Sequence, residues 1–167
     1  MTEHGMYFIT PDYYQLIRDV GGTWNDCKER PIVCLIKSTE NSKLYWAIPV
    51  GKVNHRDTKA INRIYSYINK DPRNIASCFY HIGKTTTKSI FFISDAFPVT
   101  DVYIDRIYEG YDKQQYVIEN NNLLSALKYK LQRILSYENT NPNFFRQHIT
   151  DVKRKLLDEI KTAFKWK

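Results

Sequence analysis

Apolar residues fall along this chain in two rhythms. Through most of its length they come in short runs broken by turn residues, the mark of strands; in the last third they recur every three or four positions, the mark of amphipathic helices. The first run is Met6-Tyr7-Phe8-Ile9. Thr10-Pro11 then opens a helix, with Thr at the cap and Pro in the first turn, where its missing N–H is not needed. That helix runs to about Val20, and Gly21-Gly22 stops it. Residues 31–37 (PIVCLIK) and 44–50 (LYWAIPV) read as two strands of a hairpin joined by a polar turn. Residues 51–57 (GKVNHRD) read as a polar, basic loop. Asp57 is placed to cap a helix over 58–70, in which Ile61, Ile64 and Ile68 form one apolar stripe; Asp71-Pro72 ends it.

Two further strands, 76–82 and 89–94, flank a polar hairpin connection at 83–88 (GKTTTK). Residues 95–100 (DAFPVT) read as a loop, 102–108 as a turn or short helix, and 115–118 as a last strand. In the C-terminal third, Leu124, Leu127, Leu131 and Ile134 or Leu135 mark one helix. Phe145, Ile149, Val152, Leu156 and Ile160 mark a second, beyond a break at 139–142 (NTNP). Their spacing predicts an antiparallel pair packed on the sheet. No repeat or linker interrupts the chain. The expected architecture is a single α+β domain over residues 1–167, a strongly curved antiparallel sheet or partial β-barrel with helices packed against it.

Composition narrows the function. A formal net charge of +7 points to an anionic partner, nucleic acid or a membrane surface. No apolar run approaches the roughly 20 residues of a membrane span, and the first residues lack a basic segment followed by an apolar stretch, so neither a membrane anchor nor a secretory leader is expected. Cys27, Cys34 and Cys78 form no CxxC pair and suit idle thiols in a reducing cytoplasm better than a disulfide or zinc framework. The 13 tyrosines fill core and edges in part, but their rings can also stack on bases.

The charge is concentrated. Between Gly51 and Ile90 stand Lys52, Arg56, Lys59, Arg63, Lys70, Arg73, Lys84 and Lys88 against only Asp57 and Asp71, which is eight minus two, or +6 of the +7. His55 and His81 lie in the same stretch, with Tyr65, Tyr67, Phe79 and Tyr80. Basic groups interleaved with aromatics compose a nucleic-acid surface; Arg56, Lys59, Arg63, Arg73, Tyr80 and Lys88 are its expected RNA contacts. The basic residues of the last helix need no partner, because cations favour a helix C-terminus.

RNA can be cut without a metal when its ribose 2′-hydroxyl attacks the adjacent phosphate. That needs a proton acceptor, a proton donor to the leaving 5′-oxygen, and cations on the phosphate. Two loci carry such parts. In the first, Lys52 and Arg56 neutralise charge and His55 can move a proton, at a helix N-terminus suited to phosphate. In the second, residues 81–89, His81 is a second proton carrier, Lys84 supplies charge, and Thr86 and Ser89 supply hydroxyls. The GKTT at 83–86 is not a nucleotide-binding P-loop: no glycine stands at Ser77 or Cys78, where GxxxxGK[ST] needs one. Asp95, Asp101 and Asp105 read as turn and cap residues around Pro98 rather than a two-metal site, so neither metal nor cofactor is expected. His4, in a frayed terminus, and His148, beside an apolar helix stripe, receive no role.

The order of these elements resembles the toxins of type III toxin–antitoxin systems, the ToxN, AbiQ, CptN and TenpN group. The matching features are a strand then helix (YFIT…YYQLIRDV), a strand ending in YWAIPV followed at once by a basic Gly-Lys-x-x-His loop, the segment KTTTKSIFFISDAFPV, and a helical tail (LLSALKYKLQRIL…NPNFF). The likeness covers nearly the whole chain and is nearest to the CptN-like branch. It implies a fold similar to the MazF- and Kid-like toxin core and metal-independent endoribonuclease activity leaving 2′,3′-cyclic phosphate ends. It also implies a small structured repeat RNA as antitoxin, processed by the toxin and assembled with it into a closed hetero-oligomer, with cellular or phage RNA as substrate. One departure matters: where ToxN-like members carry a hydroxyl residue after the strand-final proline, this chain has Gly51-Lys52. Either the hydroxyl role moves to residues 85–89, or His55 takes part of the chemistry. A non-catalytic RNA-binding protein would use the same groove. A DNA-binding regulator is disfavoured, since no helix-turn-helix with a basic second helix is visible.

Overall fold

The computed structural model describes residues 1–166. Its sheet is organised by β3 (Tyr45–Lys52), an eight-residue strand used on both sides. One side pairs with β2 (Ile32–Lys37). On the other, Tyr45, Trp46 and Ala47 pair with β6 (Phe97–Val99), while Val50, Gly51 and Lys52 pair with Phe91, Ile90 and Ser89 of β5 (Lys88–Phe92). The sheet continues from β5 to β4 (Tyr80–Lys84), and from β2 to β1 (Met6–Ile9) and β7 (Ile104–Ile107). The result is an antiparallel sheet of seven strands, order β4-β5-β3-β2-β1-β7 with β6 beside β3.

The sheet is open but strongly curved. Register shifts between Cys34 and Ile36 and between Phe8 and Ile9 bend it. The curvature brings the β4–β5 turn against the chain beyond β7. There Thr86 Oγ1 lies 3.0 Å from the Tyr108 hydroxyl, and the Tyr111 hydroxyl donates to the Thr86 carbonyl at 3.2 Å. Side chains thus clasp an opening that no strand pairing closes.

The period of two along β3 divides the core. Trp46, Ile48 and Val50 face inward with Met6, Val33, Leu35 and Phe91, and α3 (Asn121–Thr140) fills this concave side with Leu123, Leu124, Leu127, Leu131 and Ile134. Tyr45 and Ala47 face outward with Tyr7, Ile32, Phe97 and Val99, covered by α1 (Pro11–Asp19) through Tyr13, Leu16 and Ile17 and by α4 (Ile149–Lys165) through Val152 and Leu156. A smaller outer cluster joins Ile90 and Phe92 to Ile61, Ile64 and Ile68 of α2 (Thr58–Ile68). This α+β plan is the one the apolar pattern predicts.

Several boundaries differ from the expectation, each for a physical reason. Gly51 and Lys52 belong to β3 rather than to a loop, because β5 supplies their pairing. Residues 75–78 form a 3-10 turn, so β4 begins only at Tyr80. The expected loop at 95–100 contains β6; Pro98 is tolerated because this short strand pairs with β3 alone. The last strand is β7, while 115–118 contributes only isolated bridges at Gln115 and Val117. Thr10 occupies the cap position of α1, but its hydroxyl makes no capping bond. The C-terminal helices do not run as a packed pair on one face: α3 fills the concave side and α4 lies on the other, against β6. Nor is His4 frayed, since its backbone N–H donates to Cys34 and its carbonyl accepts from Ile118.

Leu127 is fully buried between α3 and the concave sheet face. Leu127→Ala is expected to destabilise the fold by about 2–5 kcal/mol through lost burial and a residual cavity, read as a shift of the urea unfolding midpoint at unchanged slope.

Candidate functional site

The end of β3 builds the site. At Gly51 a Cβ would stand 2.9 Å from the Phe92 ring, so glycine lets the strand pass over that ring. The pairing beyond it sets Lys52 opposite Ser89. The chain then makes a 3-10 turn, Val53–His55, and Asp57 starts α2 by accepting from the Ala60 N–H at 2.8 Å. Strand end, turn and cap occupy consecutive positions, so Lys52, His55 and Arg56 are held together at one rim of the sheet.

All three line a cavity of about 290 Å³. Its other walls come from distant parts of the chain: Met6 and Phe8 of β1, Tyr108, the segment Lys28-Glu29-Arg30-Pro31 ahead of β2, and Thr85, Thr86, Thr87 and Ser89. The lining carries Lys28, Arg30, Lys52 and Arg56 against one carboxylate, Glu29, which pairs with Arg106 at 3.0 Å. The cavity is therefore electropositive.

A hydroxyl network forms the wall opposite Lys52. Thr85 Oγ1 and Ser89 Oγ are 2.8 Å apart, and Ser89 Oγ donates to the Thr87 carbonyl at 2.9 Å. The Thr85 N–H donates to the same carbonyl, tightening the turn. Thr86 is held by Tyr108. The Thr87 hydroxyl is buried and finds no partner among the described residues.

Of the residues singled out from the sequence, the fold gathers Lys52, His55, Arg56, Thr86 and Ser89 around this cavity. Lys84 and Lys88 do not line it: they pair across the hairpin and alternate with Gly83 and Ser89, so their exposed side chains leave from the opposite face. His81 shares the face of Ser89 but lies deeper, opposite Phe91, where α3 covers it; Leu123 packs on Gly83, and Lys130 donates to the Tyr80 carbonyl at 2.9 Å. Burial, and then the Lys130 ammonium, pulls the His81 imidazole down to about 4. Arg63 and Tyr80 line a separate groove with Arg56. Lys59 is exposed on α2. Arg73 is paired with Asp71 at 2.9 Å, away from the cavity. Arg30, Lys28 and Tyr108 were not candidates from the sequence, since nothing in their local pattern reports that curvature delivers them here.

Among the described residues, no cluster of His, Cys, Asp and Glu side chains is arranged to hold a metal ion, and no helix is long and apolar enough to cross a membrane. Comparison with models of protein families and with curated protein sequences gives no match.

His81 carries a pH dependence. Its folded pKa lies below the ordinary histidine value of about 6.5, so between those limits the unfolded chain binds the extra proton. This contribution to stability is present above pH 6.5 and is lost as pH falls toward 4. His81→Gln is expected to reduce the fall in stability between pH 7 and pH 5, measured by urea unfolding at both.

Proposed function

We propose that this chain is a metal-independent endoribonuclease, acting as the toxin of a type III toxin–antitoxin system. The observation that carries the reading is one cavity in which Lys52, His55 and Arg56 face Thr86 and Ser89. Lys52 neutralises the scissile phosphate, and Arg56 binds the strand beside it. His55 in its neutral form accepts the 2′-hydroxyl proton; the 2′-oxygen attacks phosphorus, the bond to the 5′-oxygen breaks, that oxygen takes up a proton from water, and His55 returns its proton to solvent. The products are a 2′,3′-cyclic phosphate and a 5′-hydroxyl. Thr86, whose hydroxyl can accept from Tyr108 and donate outward, positions the phosphate by a hydrogen bond, while Ser89, its proton held by the Thr87 carbonyl, shapes the turn. Because lysine and arginine supply the positive charge, the reaction runs in EDTA. The resemblance noted above extends this reading to a MazF- and Kid-like core, a small repeat RNA that occupies the groove as antitoxin and is processed by it, a closed toxin–RNA assembly, and cellular or phage RNA as cytoplasmic substrate.

A second reading, an RNA-binding protein without catalysis, is favoured by one feature. Among the described residues no side chain hydrogen-bonds the exposed His55 ring, whereas catalytic histidines are commonly oriented by a partner.

Mixed-sequence RNA incubated with the protein in excess EDTA separates the two. Nuclease action predicts fragments ending in 2′,3′-cyclic phosphate. His55→Ala should lower the cleavage rate by about 10²–10⁴-fold while leaving RNA affinity within a few-fold. Intact RNA that still shifts on a gel supports the binding reading, and full activity in His55→Ala removes His55 from the chemistry.

A further inference from the structure

The cavity has a neighbour. A groove of about 570 Å³ lies on the α2 side of the sheet and shares Lys28, Arg30 and Arg56 with it. Arg30 and Arg56 therefore stand between the two spaces. Both guanidiniums rest on one ring: their Cζ atoms are 4.5 and 5.0 Å from the Phe92 centroid. Gly51 makes this possible, since a Cβ there would meet the ring at 2.9 Å and an Arg56 terminal nitrogen at 3.5 Å.

Two guanidiniums sharing a ring repel one another, and the protein supplies little to offset this. Asp95 is the carboxylate in the groove, and Arg146 already holds both its oxygens at 3.1 and 3.0 Å. Among the described residues no carboxylate lies within ion-pair distance of Arg30 or Arg56. The Arg56 Nε–H is buried and finds no acceptor among the described residues. The ring offsets part of the cost through cation–π attraction, but a buried donor and two unpaired charges call for an anion. Burial and the Arg56 charge also lower the Arg30 pKa, the behaviour of a cation short of counter-charge.

We propose that Arg30 and Arg56 form a phosphate subsite for a single-stranded RNA that passes from the cavity into the outer groove, gripping the phosphate next to the scissile one. The inference rests on the RNA-cleaving reading and deepens it by fixing the path of the strand. An extended polyanion fits better than a small free anion, because open space continues on both sides of the guanidinium pair. Tyr80 in the groove, with Arg63 beside it, offers an aromatic edge and a further cation to the nucleotide beyond.

The test is a coupling experiment. An RNA oligonucleotide is prepared with 2′-deoxyribose on the 5′ side of the cleaved bond, so that it binds without being cut, as a series in which each member bears one uncharged methylphosphonate, and affinities are measured for wild type, Arg30→Gln and Arg30→Lys. Folding of both variants is checked by thermal melting. For wild type, neutralising a phosphate adjacent to the cleaved bond is expected to weaken binding about ten- to a hundred-fold. In Arg30→Gln the loss at that same position should shrink several-fold, with Arg56 holding the remainder, and Arg30→Lys should recover part of the sensitivity. If the losses from Arg30→Gln and from methylphosphonate multiply at every position, the subsite is overturned while RNA binding stands. If wild type neither binds nor cuts RNA, the RNA reading itself fails, and the subsite with it.

Discussion

The structure depends on β3 being paired along both sides. A strand that ended at Pro49 would give a hairpin with β2 and a separate β4–β5 hairpin under α2. The further pairing of Val50 with Phe91, Gly51 with Ile90 and Lys52 with Ser89 joins them into one sheet. That junction also sets the site. It carries Lys52 to the hydroxyl-lined turn, fixes where the chain leaves the sheet, and so positions His55, Arg56 and the Asp57 cap. Gly51 is the condition for it, since the strand crosses the Phe92 ring at a distance no side chain permits.

Curvature does the rest. An open sheet brings its extremes together only if it bends, and the Thr86–Tyr108 contact shows how far this one does. Cations from separate stretches of sequence then converge at one rim with one carboxylate among them. Surface charges of like sign repel weakly in water, but gathered in a partly enclosed space they favour an anionic ligand and strengthen its hydrogen bonds. For phosphoryl chemistry such an arrangement is pre-organised before substrate arrives.

Much of this was legible in the sequence where the signal is local. The unbroken apolar runs in PIVCLIK and LYWAIPV mark strands whose two faces are both buried, and the leucine ladder from Leu124 to Ile134 marks the helix that fills the concave side. Lys52, His55 and Arg56 could be grouped because they lie within one turn of chain. What failed was non-local. β6 hides behind Pro98 and is a strand only because β3 offers an unpaired edge. His81 looks like a proton carrier until α3 is placed over it. Lys84 and Lys88 sit beside Gly83 and Ser89 in sequence but face the other way. Arg30 and Tyr108 enter only through sheet curvature, which no local pattern reports.

In the proposed reaction the ribose hydroxyl is the nucleophile. The most direct measurement takes an oligonucleotide that the protein cuts and replaces the ribose on the 5′ side of the cleaved bond by 2′-deoxyribose. This RNA is expected to bind with unchanged affinity and to stay uncut at that position in EDTA. Cleavage there at the unmodified rate would mean that another nucleophile attacks the phosphate, and would contradict the proposed reaction.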